Sequence, residues 1–558
     1  MRRTMFRTAF LASIISLVPP MPGFAQQTQL QTKGEGYVAS REPLNDCTKL
    51  AAFSGPLAQR LAEMHNGPVT VSSATIIPAG GDKQVGKDDL PEYCRVVGSI
   101  PPNVGFLLRM PTKSWNGKFM MGGCGGPCGN FLEDRIDPAL VRNYAVVTTD
   151  MGHKGSGWAF GYDNFLGMAD FGYRATHVTA SVAKEMIAEY YGKKASKNYY
   201  FGCSTGGRQG MVEVQRFAWD FDGVVAGALP WSQTGYDMLN GSWAARVNTR
   251  ADDSLILPLS KLSMIHTYVM DKCDMLDGLK DGILQNPLAC HVKAKDMICK
   301  PGQTECLTPE QAKVLQEIYD GPYTQPGRRY YFGQGGLALG SEPKWRGLGP
   351  FRGTDNSMQK YFSVFAPNGP KHDDRTDTIL GWQTDLNMTE TLFSALNVDL
   401  RNFKTAGGKL ILFHGWDDGV PVRPTIDYYE AASRVVGSEA ATKDFFRLYL
   451  AGGMDHCRGG EGGGEVDWIT AIENWVEKDQ APEELTAYHF TDYRTSPREL
   501  SDYGANYLRT ARHPLKPSEY DRAHPIYPYP DWPIYSGKGD PNDPRTWKKA
   551  PKPVRIDS

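Results

Sequence analysis

Residues 198–206 read Asn-Tyr-Tyr-Phe-Gly-Cys-Ser-Thr-Gly, an aromatic and apolar run that ends in the motif Gly-x-Ser-x-Gly. The run is typical of a buried strand. In this motif a serine occupies a strained turn from a strand into a helix, and glycines are needed there because larger side chains would clash. The pattern predicts Ser204 as a nucleophile lifted above a sheet, with the amide of Thr205 directed at a developing oxyanion.

Segments of strand and helix character alternate on both sides of Ser204. The strand-like segments are 117–123, 144–150, 198–202, 409–414 and 445–450, and the helix-like segments are 173–191 and 466–476. This alternation predicts a parallel sheet with helices on both faces, and together with the serine motif it indicates the α/β-hydrolase fold class.

The domain plan follows from where the alternation stops. Residues 231–404 are rich in Gly, Pro, Asp and aromatic residues, with few clear strands, so we expect a lid domain inserted between the nucleophile and the later acid. Residues 26–230 and 405–558 are then the two parts of the core. The Pro- and Tyr-rich tail from about Thr491 is expected to wrap the surface as an ordered segment, with disorder as the alternative.

The general base is expected after Ser204, because in this fold the acid and then the histidine follow the serine along the chain. Residues 453–457 (Gly-Met-Asp-His-Cys) come after a predicted strand. His456 is the predicted base, which takes the Ser204 proton and returns it to the leaving alcohol. The alternative is a histidine on a surface loop.

Two adjacent acids compete to orient that base. Residues 413–419 (Phe-His-Gly-Trp-Asp-Asp-Gly) close another predicted strand, and spacing alone places Asp417 and Asp418 equally well. His414 is interpreted as a turn residue that bonds to backbone.

The first 25 residues predict an export signal. Arg2, Arg3 and Arg7 precede a short apolar run at 9–18, and Pro-Gly-Phe-Ala ends at Ala25 like a signal-peptidase site. The run is too short to span ~30 Å of hydrocarbon, which argues against a membrane anchor. We therefore expect a protein exported to the periplasm or the cell exterior.

Charge and cysteine content indicate which partners, compartment and metal sites to expect. The formal net charge of −2 gives no electrostatic reason to expect a nucleic-acid partner. The 10 cysteines suit an oxidising compartment, and they lack the spacing of a zinc site. Cys203 precedes the predicted nucleophile and Cys457 follows the predicted base, so a bridge between them would fasten the two loops together.

These motifs together resemble the tannase and feruloyl esterase family. The resemblance is carried by residues 202–208 (Gly-Cys-Ser-Thr-Gly-Gly-Arg), 414–418 (His-Gly-x-x-Asp) and 453–457, and it extends to 149–153 and the C-terminal region. It implies Asp418 as the triad acid and a Cys203–Cys457 bridge. The family usually lacks cysteines at 124 and 128, and the chain lacks the usual tail bridge. The expected bridges are Cys47–Cys94, Cys124–Cys128, Cys203–Cys457, Cys273–Cys290 and Cys299–Cys306.

A calcium site is expected in the inserted segment. Three carboxylates lie close together between Cys273 and Cys290, among glycines that permit tight turns, a pattern that suits a hard cation. A solvated acidic loop is the alternative. The family resemblance implies a structural calcium ion; its ligands are the carboxylates of Asp274, Asp277 and Asp281 and the carbonyls of Leu279 and Ile283. No organic cofactor is expected.

The second oxyanion donor is expected in the glycine-rich loop at 122–129, at Gly125 or Gly126. A substrate wall is expected from aromatic and basic residues of the inserted segment, which suit an aromatic acid or a carboxylate. These residues are Trp345, Arg346, Phe351, Arg352, Tyr361 and Phe362. Packing within the lid is the alternative role for each of them.

The resemblance implies an exported serine esterase that acts on small aromatic esters of the hydroxycinnamic or gallic type through an acyl-enzyme. A hydrolase of terephthalate monoesters is the alternative within the family. A catalytically silent protein that binds aromatic ligands is the alternative outside enzymes, although a binder has no use for an intact serine, acid and histidine set.

Overall fold

A nine-stranded sheet lies at the centre of the described chain. The structure, a computed structural model, describes residues 46–52, 54–80, 90–232, 243–325, 328–329, 336–345, 348, 389–490 and 520–554. All of them belong to the unit Leu44–Ser558. The predicted signal peptide lies outside the described residues.

The strands are β1 (Thr70–Ile77), β2 (Tyr93–Ile100), β3 (Val104–Pro111), β4 (Lys118–Gly122), β5 (Ala145–Thr149), β6 (Lys197–Cys203), β7 (Gly223–Gly227), β8 (Tyr323–Gln325), β9 (Arg328–Arg329), β10 (Lys409–Gly415), β11 (Phe446–Ala451), β12 (Leu485–Phe490), β13 (Tyr520–Ile526), β14 (Pro533–Tyr535) and β15 (Trp547–Lys549). The large sheet has the order β1-β2-β3-β5-β4-β6-β7-β10-β11. The strands β5, β4, β6, β7, β10 and β11 run parallel to one another. The strands β1, β2 and β3 form an antiparallel edge beside β5.

The α-helices with defined bounds are α1 (Pro56–His65), α2 (Asp137–Val141), α3 (Phe165–Ala169), α4 (Ala175–Tyr191), α5 (Thr205–Arg216), α6 (Leu262–Cys273), α7 (Pro309–Asp320), α8 (Arg401–Thr405), α9 (Arg423–Val436), α10 (Glu439–Lys443) and α11 (Trp468–Lys478). The predicted parallel sheet is confirmed. The five predicted strands correspond to β4, β5, β6, β10 and β11, and the two predicted helices correspond to α4 and α11.

Apolar packing explains why the parallel strands form the centre. Every residue of β5 and β7 is buried, as expected where helices cover both faces of a parallel sheet. Two large apolar clusters lie on the sheet. One includes residues of α4 and α9, and the other includes residues of α11. The strands are thereby fixed in register, which fixes where their ends lie.

The carboxyl ends of β6, β10 and β11 meet at one edge of the sheet. Cys203 at the end of β6 pairs with Gly227 of β7, and Gly415 at the end of β10 pairs with Ala451 of β11. This edge is where open α/β sheets bind ligands. Ser204 directly follows β6, and the loops that hold the predicted acid and base follow β10 and β11.

Between β7 and β10, the described residues add no strand to the large sheet. They form an apolar cluster of their own, which includes Ile265 of α6 and Leu315 of α7. Two disulfides, Cys273–Cys290 and Cys299–Cys306, lie in the same segment. The boundaries of the inserted lid, 231–404, remain a prediction.

The described part of the tail, 520–554, contains three strands joined by turns and irregular chain. The amide of Tyr529 donates to the carbonyl of Leu448 in β11 at 2.7 Å, and β13 pairs with β12. Residues 491–519 lie outside the described residues. No helix in the described ranges has the length and apolar character that crossing a bilayer requires.

Candidate active site

Ser204 occupies a strained backbone conformation between β6 and α5. Its φ of 60° and ψ of −128° are unusual for a residue with a side chain. Its amide donates to the carbonyl of Gly227 at 2.9 Å, which ties the turn to the neighbouring strand. A Cβ atom at Gly206 would lie 2.7 Å from the carbonyl oxygen of Cys124, so this position needs a glycine. The turn therefore has the geometry that the serine motif predicts.

His456 and Asp418 form a direct pair. The Nδ1 atom of His456 lies 2.9 and 2.8 Å from the two carboxylate oxygens of Asp418. Asp418 is buried, whereas 38% of the His456 side chain is exposed. Burial lowers the pKa of His456, but the charge and hydrogen bond of Asp418 outweigh it and raise the pKa overall. An imidazole held in this way has its Nε2 atom available for a proton.

His414 is a second partner of the same acid. Its Nε2 atom lies 3.1 Å from Asp418 and 3.2 Å from the carbonyl oxygen of Val420, and its Nδ1 atom lies 2.8 Å from the hydroxyl of Thr425. The expected bond to backbone is present, at the carbonyl of Val420, but His414 lies in β10 and also contacts two side chains. Burial raises the pKa of Asp418, but the two imidazoles outweigh it and hold the pKa well below its usual range. Asp418 is thereby kept ionised next to His456.

Asp417 has different surroundings. Burial, followed by the nearby charge of Glu342, raises the pKa of its carboxyl to about 7. Its backbone amide donates to the carbonyl of Met454 at 3.0 Å. Of the two acids that spacing left open, Asp418 is the one whose carboxylate bonds to His456.

The Cys203–Cys457 bridge joins the turn of Ser204 to the loop of His456. The two Cα atoms lie 5.9 Å apart, although the residues are separated by 254 positions in the chain. Because each cysteine is next to one of these two residues, the bridge holds Ser204 and His456 at the same edge of the sheet. The other four expected bridges are also formed.

The glycine-rich loop after β4 lies beside α5. The amides of Gly123 and Cys128 donate within the protein, to the carbonyls of Phe201 at 2.9 Å and Gly125 at 3.1 Å. Among the described residues, the amides of Gly125 and Gly126 donate to no protein group. These hydrogen bonds do not distinguish Gly125 from Gly126 as the expected second donor, which stays a prediction.

Arg135 is a further charged residue beside this loop. Its guanidinium contacts Gly125 so closely that a Cβ atom there would clash with it. Its charge also acts to lower the pKa of His456. Arg135 comes from the short 3-10 turn Glu133–Ile136, outside any motif, and no sequence pattern pointed to it.

Two of the three aspartates in the loop after α6 are buried, and the third, Asp281, is half-buried. Asp274 and Asp277 are 5% and 2% exposed, and one carboxylate oxygen of Asp277 is buried without a hydrogen-bond partner. Burial is the main cause that raises the pKa of Asp277 to about 8. The negative charges of Asp281 and Asp274 add to it, whereas a hydrogen bond from the amide of Leu279 opposes it. Burial likewise raises the pKa of Asp281 to about 6. The oxygen of Asp277 without a partner and the raised pKa values of these two carboxyls fit a site for a divalent cation.

A tighter cluster lies elsewhere, between α4 and the region around the end of α5. Atoms of His177, Glu213 and Asp220 all lie within 4.8 Å of one another, which within the described ranges holds for this group alone. His177 lies 2.6 Å from Asp220, and the ammonium of Lys184 lies 3.5 Å from it. The cluster thus contains a cation of its own.

Of the residues predicted to form the substrate wall, Trp345 alone lies within the described ranges. Trp345 is buried, its ring lies 5.4 Å from that of Tyr319, and its Nε1 atom donates to Ser341 at 2.8 Å. Its ring therefore packs within the apolar cluster of the inserted segment, the alternative role considered for it. The remaining members lie outside the described residues: Arg346, Phe351, Arg352, Tyr361 and Phe362.

Sequence comparison finds relatives along most of the chain. The family model described as Tannase and feruloyl esterase matches residues 85–550. Mono(2-hydroxyethyl) terephthalate hydrolase from Piscinibacter sakaiensis is 30% identical over 533 residues, covering 81% of this chain and 84% of that protein. A probable feruloyl esterase B-2 from Neosartorya fischeri is 27% identical over 496 residues, covering 85% and 88%.

Comparison with solved structures identifies the fold. Feruloyl esterase B from Aspergillus oryzae superposes with a TM-score of 0.76 at 24% identity, covering 90% of this chain and 99% of that one. Tannin acyl hydrolase from Aspergillus niger superposes with a TM-score of 0.69 at 18% identity, covering 88% and 93%. The mixed α/β architecture described above is shared with both.

Proposed function

Because this chain belongs to the tannase and feruloyl esterase family, we propose that it hydrolyses carboxylic esters of aromatic acids through a serine acyl-enzyme. The relatives named above are ester hydrolases, and this chain is an enzyme of that class. The observation that carries the serine mechanism is the strained turn of Ser204, bridged through Cys203–Cys457 to the loop whose histidine bonds to Asp418.

Acylation begins when the Ser204 hydroxyl attacks the ester carbonyl. His456 accepts the hydroxyl proton at Nε2 and becomes a cation, which the buried charge of Asp418 stabilises. The carbonyl oxygen becomes an oxyanion that accepts hydrogen bonds from the amide of Thr205 and from the glycine loop after β4. His456 then gives its proton to the leaving alcohol as the tetrahedral intermediate collapses.

Deacylation repeats these steps with water as the nucleophile. His456 takes a proton from the water molecule, the hydroxide attacks the acyl carbonyl, and Ser204 leaves with the proton restored. The charge of Arg135, next to the oxyanion loop, adds electrostatic stabilisation to both tetrahedral intermediates.

The substrate class rests on family membership. The names of the relatives specify feruloyl and terephthalate esters, so a small ester with an aromatic acyl group is the proposed substrate. The segment between β7 and β10 is proposed to be the lid over the sheet edge. Its separate apolar cluster and its two disulfides support a self-contained element.

The buried aspartates after α6 are proposed to hold calcium. Asp274, Asp277 and Asp281 would bind it through carboxylates, and Leu279 and Ile283 through carbonyls. The ion would neutralise buried negative charge and stiffen the loop, with no role in the chemical steps.

Signal-directed export is likewise proposed, on the basis of residues 1–25 and the five disulfides, which suit an oxidising compartment.

The experiment is a matched ester panel with the purified protein and Ser204→Ala. The panel holds methyl ferulate, methyl gallate, mono(2-hydroxyethyl) terephthalate and a short aliphatic ester. We expect turnover of an aromatic ester that falls by at least about 10³-fold in the variant. Ser196→Ala, just before the same strand, is the control and should retain activity.

Turnover retained by Ser204→Ala would contradict the serine mechanism. A preference for the aliphatic ester would contradict the aromatic substrate class. No turnover of any of the four esters by a folded protein supplied with calcium would favour a protein that only binds aromatic ligands.

A further inference from the structure

Cys124 and Cys128 close a short ring within the loop that follows β4. The bridge spans a separation of 4 residues, and the ring contains Gly125, Gly126 and Pro127. Both cysteines are buried, at 2% and 4% exposed. The ring therefore constrains the very residues whose amides have no protein acceptor among the described residues.

Two side chains of α5 form hydrogen bonds with this ring. Gln209 donates from Nε2 to the sulfur of Cys124 at 2.8 Å, and its Oε1 atom accepts from the amide of Cys124 at 3.3 Å. The hydroxyl of Thr205 donates to the carbonyl of Gly126 at 2.8 Å. The ring is thus held by the same helix that begins directly after Ser204.

The ring also orients the peptide group between its two glycines. The carbonyl of Gly125 accepts from the amide of Cys128 at 3.1 Å, across the ring. In a planar trans peptide the N–H of the next residue points opposite to this carbonyl. The direction of the Gly126 N–H group is therefore set by a bond within the ring, and it points away from Cys128.

We propose that Cys124 and Cys128 are positioning residues whose bridge holds the amides of Gly125 and Gly126 as donors to the oxyanion. The inference rests on the proposed esterase function. Adjacent glycines have wide backbone freedom, which an open loop would have to lose in each turnover. Donors held in place before the reaction need no reorganisation at the transition state.

The test compares Cys124→Ala/Cys128→Ala with the intact enzyme on its best ester. We expect kcat to fall by about tenfold or more, since loss of one oxyanion donor costs about 10²–10³. KM should change by less than about twofold, because the substrate carbonyl gains its charge only in the transition state. Inhibition by phenylboronic acid, which forms a tetrahedral anion on the serine, should weaken with kcat.

Two further variants keep the test decisive if the first one folds poorly. Gln209→Ala leaves the bridge intact and removes the hydrogen bonds between Gln209 and Cys124, so kcat should fall in the same direction. Cys299→Ala/Cys306→Ala removes a different short bridge, one that lies in the inserted segment. This variant should leave kcat and boronate inhibition unchanged.

An unchanged kcat in both the double variant and Gln209→Ala, with the wild type active, overturns this inference alone. Equal losses in the Cys124/Cys128 and Cys299/Cys306 variants overturn it as well, because the Cys124–Cys128 bridge then only stabilises the fold, as any other bridge does. A wild type that hydrolyses no ester overturns the proposed function and this inference together.

Discussion

At the scale of single residues, the acid of the site is kept ionised by two histidines. His456, in the loop after β11, and His414, in β10, lie 2.8 and 3.1 Å from the same carboxylate. His414 is in turn anchored by Thr425, which also accepts from the indole of Trp231 at 2.9 Å. Asp418 therefore has a second, anchored imidazole partner besides His456.

The pH dependence of activity follows from this arrangement. Only neutral His456 can accept the serine proton, and its pKa lies above the ordinary value of about 6.5. We expect kcat/KM to rise with pH through a midpoint above about 6.5. Asp418→Asn should lower that midpoint, because it removes the stabilising charge, and should lower kcat by up to about 10⁴-fold.

Asp417→Asn is the matched control for this pH profile, since it changes the same group one residue away. It should leave the midpoint in place. A midpoint that moves with Asp417 and not with Asp418 would reverse the assignment of the triad acid.

At the scale of elements, α5 is fastened to its neighbours by buried polar contacts. Arg208 is fully buried, and its guanidinium donates to the carbonyls of Gly172 at 2.8 Å, Phe171 at 2.9 Å and Phe393 at 3.2 Å. Burial lowers its pKa to about 9. This arginine ends the serine motif of residues 202–208, so the motif encodes the anchoring of the helix as well as the nucleophile.

At this scale, the Cys203–Cys457 bridge links the turn of Ser204 to the loop of His456, the proposed nucleophile and base. A bridge that closes so long a loop contributes roughly 5 kcal/mol by chain entropy, less any strain. In Cys203→Ala/Cys457→Ala we expect kcat to fall more than about tenfold at temperatures well below unfolding, since small displacements at a reacting centre are costly. Circular dichroism at the assay temperature should still show a folded protein.

Cys47→Ala/Cys94→Ala serves as its control, because that bridge ties a 3-10 turn to β2, away from these loops. It should lower Tm without changing kcat at low temperature. Simultaneous loss of activity and fold in the Cys203/Cys457 variant would show a purely structural bridge.

At the scale of the whole molecule, the C-terminal tail connects the sheet to the acidic loop. Tyr529 bonds to β11, and His524 in β13 lies 3.0 Å from the Nε2 atom of Gln285. Gly278, between the aspartates, lies close to the carbonyl of Tyr535 in β14. The tail is therefore in contact with both the acidic loop and β11.

Calcium removal should for this reason lower the stability of the molecule as a whole. Saturation at about 100 Kd contributes about 2.7 kcal/mol. We expect chelation to lower Tm and added calcium to restore it. Asp277→Asn should abolish this response, whereas Asp271→Asn, an exposed change on α6, should retain it. An unchanged Tm after chelation of calcium-loaded protein would contradict the site.

The sequence by itself determined the strand, turn and helix around Ser204 and the parallel core. Together with the family resemblance, it also determined the pairing of the cysteines. These features depend on short patterns: glycines that relieve clashes, apolar periodicity, and cysteines next to functional residues. Only the tertiary structure decided that His414 shares Asp418, that Arg135 contacts the oxyanion loop, and which amides of that loop have no protein acceptor. These contacts join residues distant in sequence or depend on the direction of single peptide groups, and no local pattern specifies either.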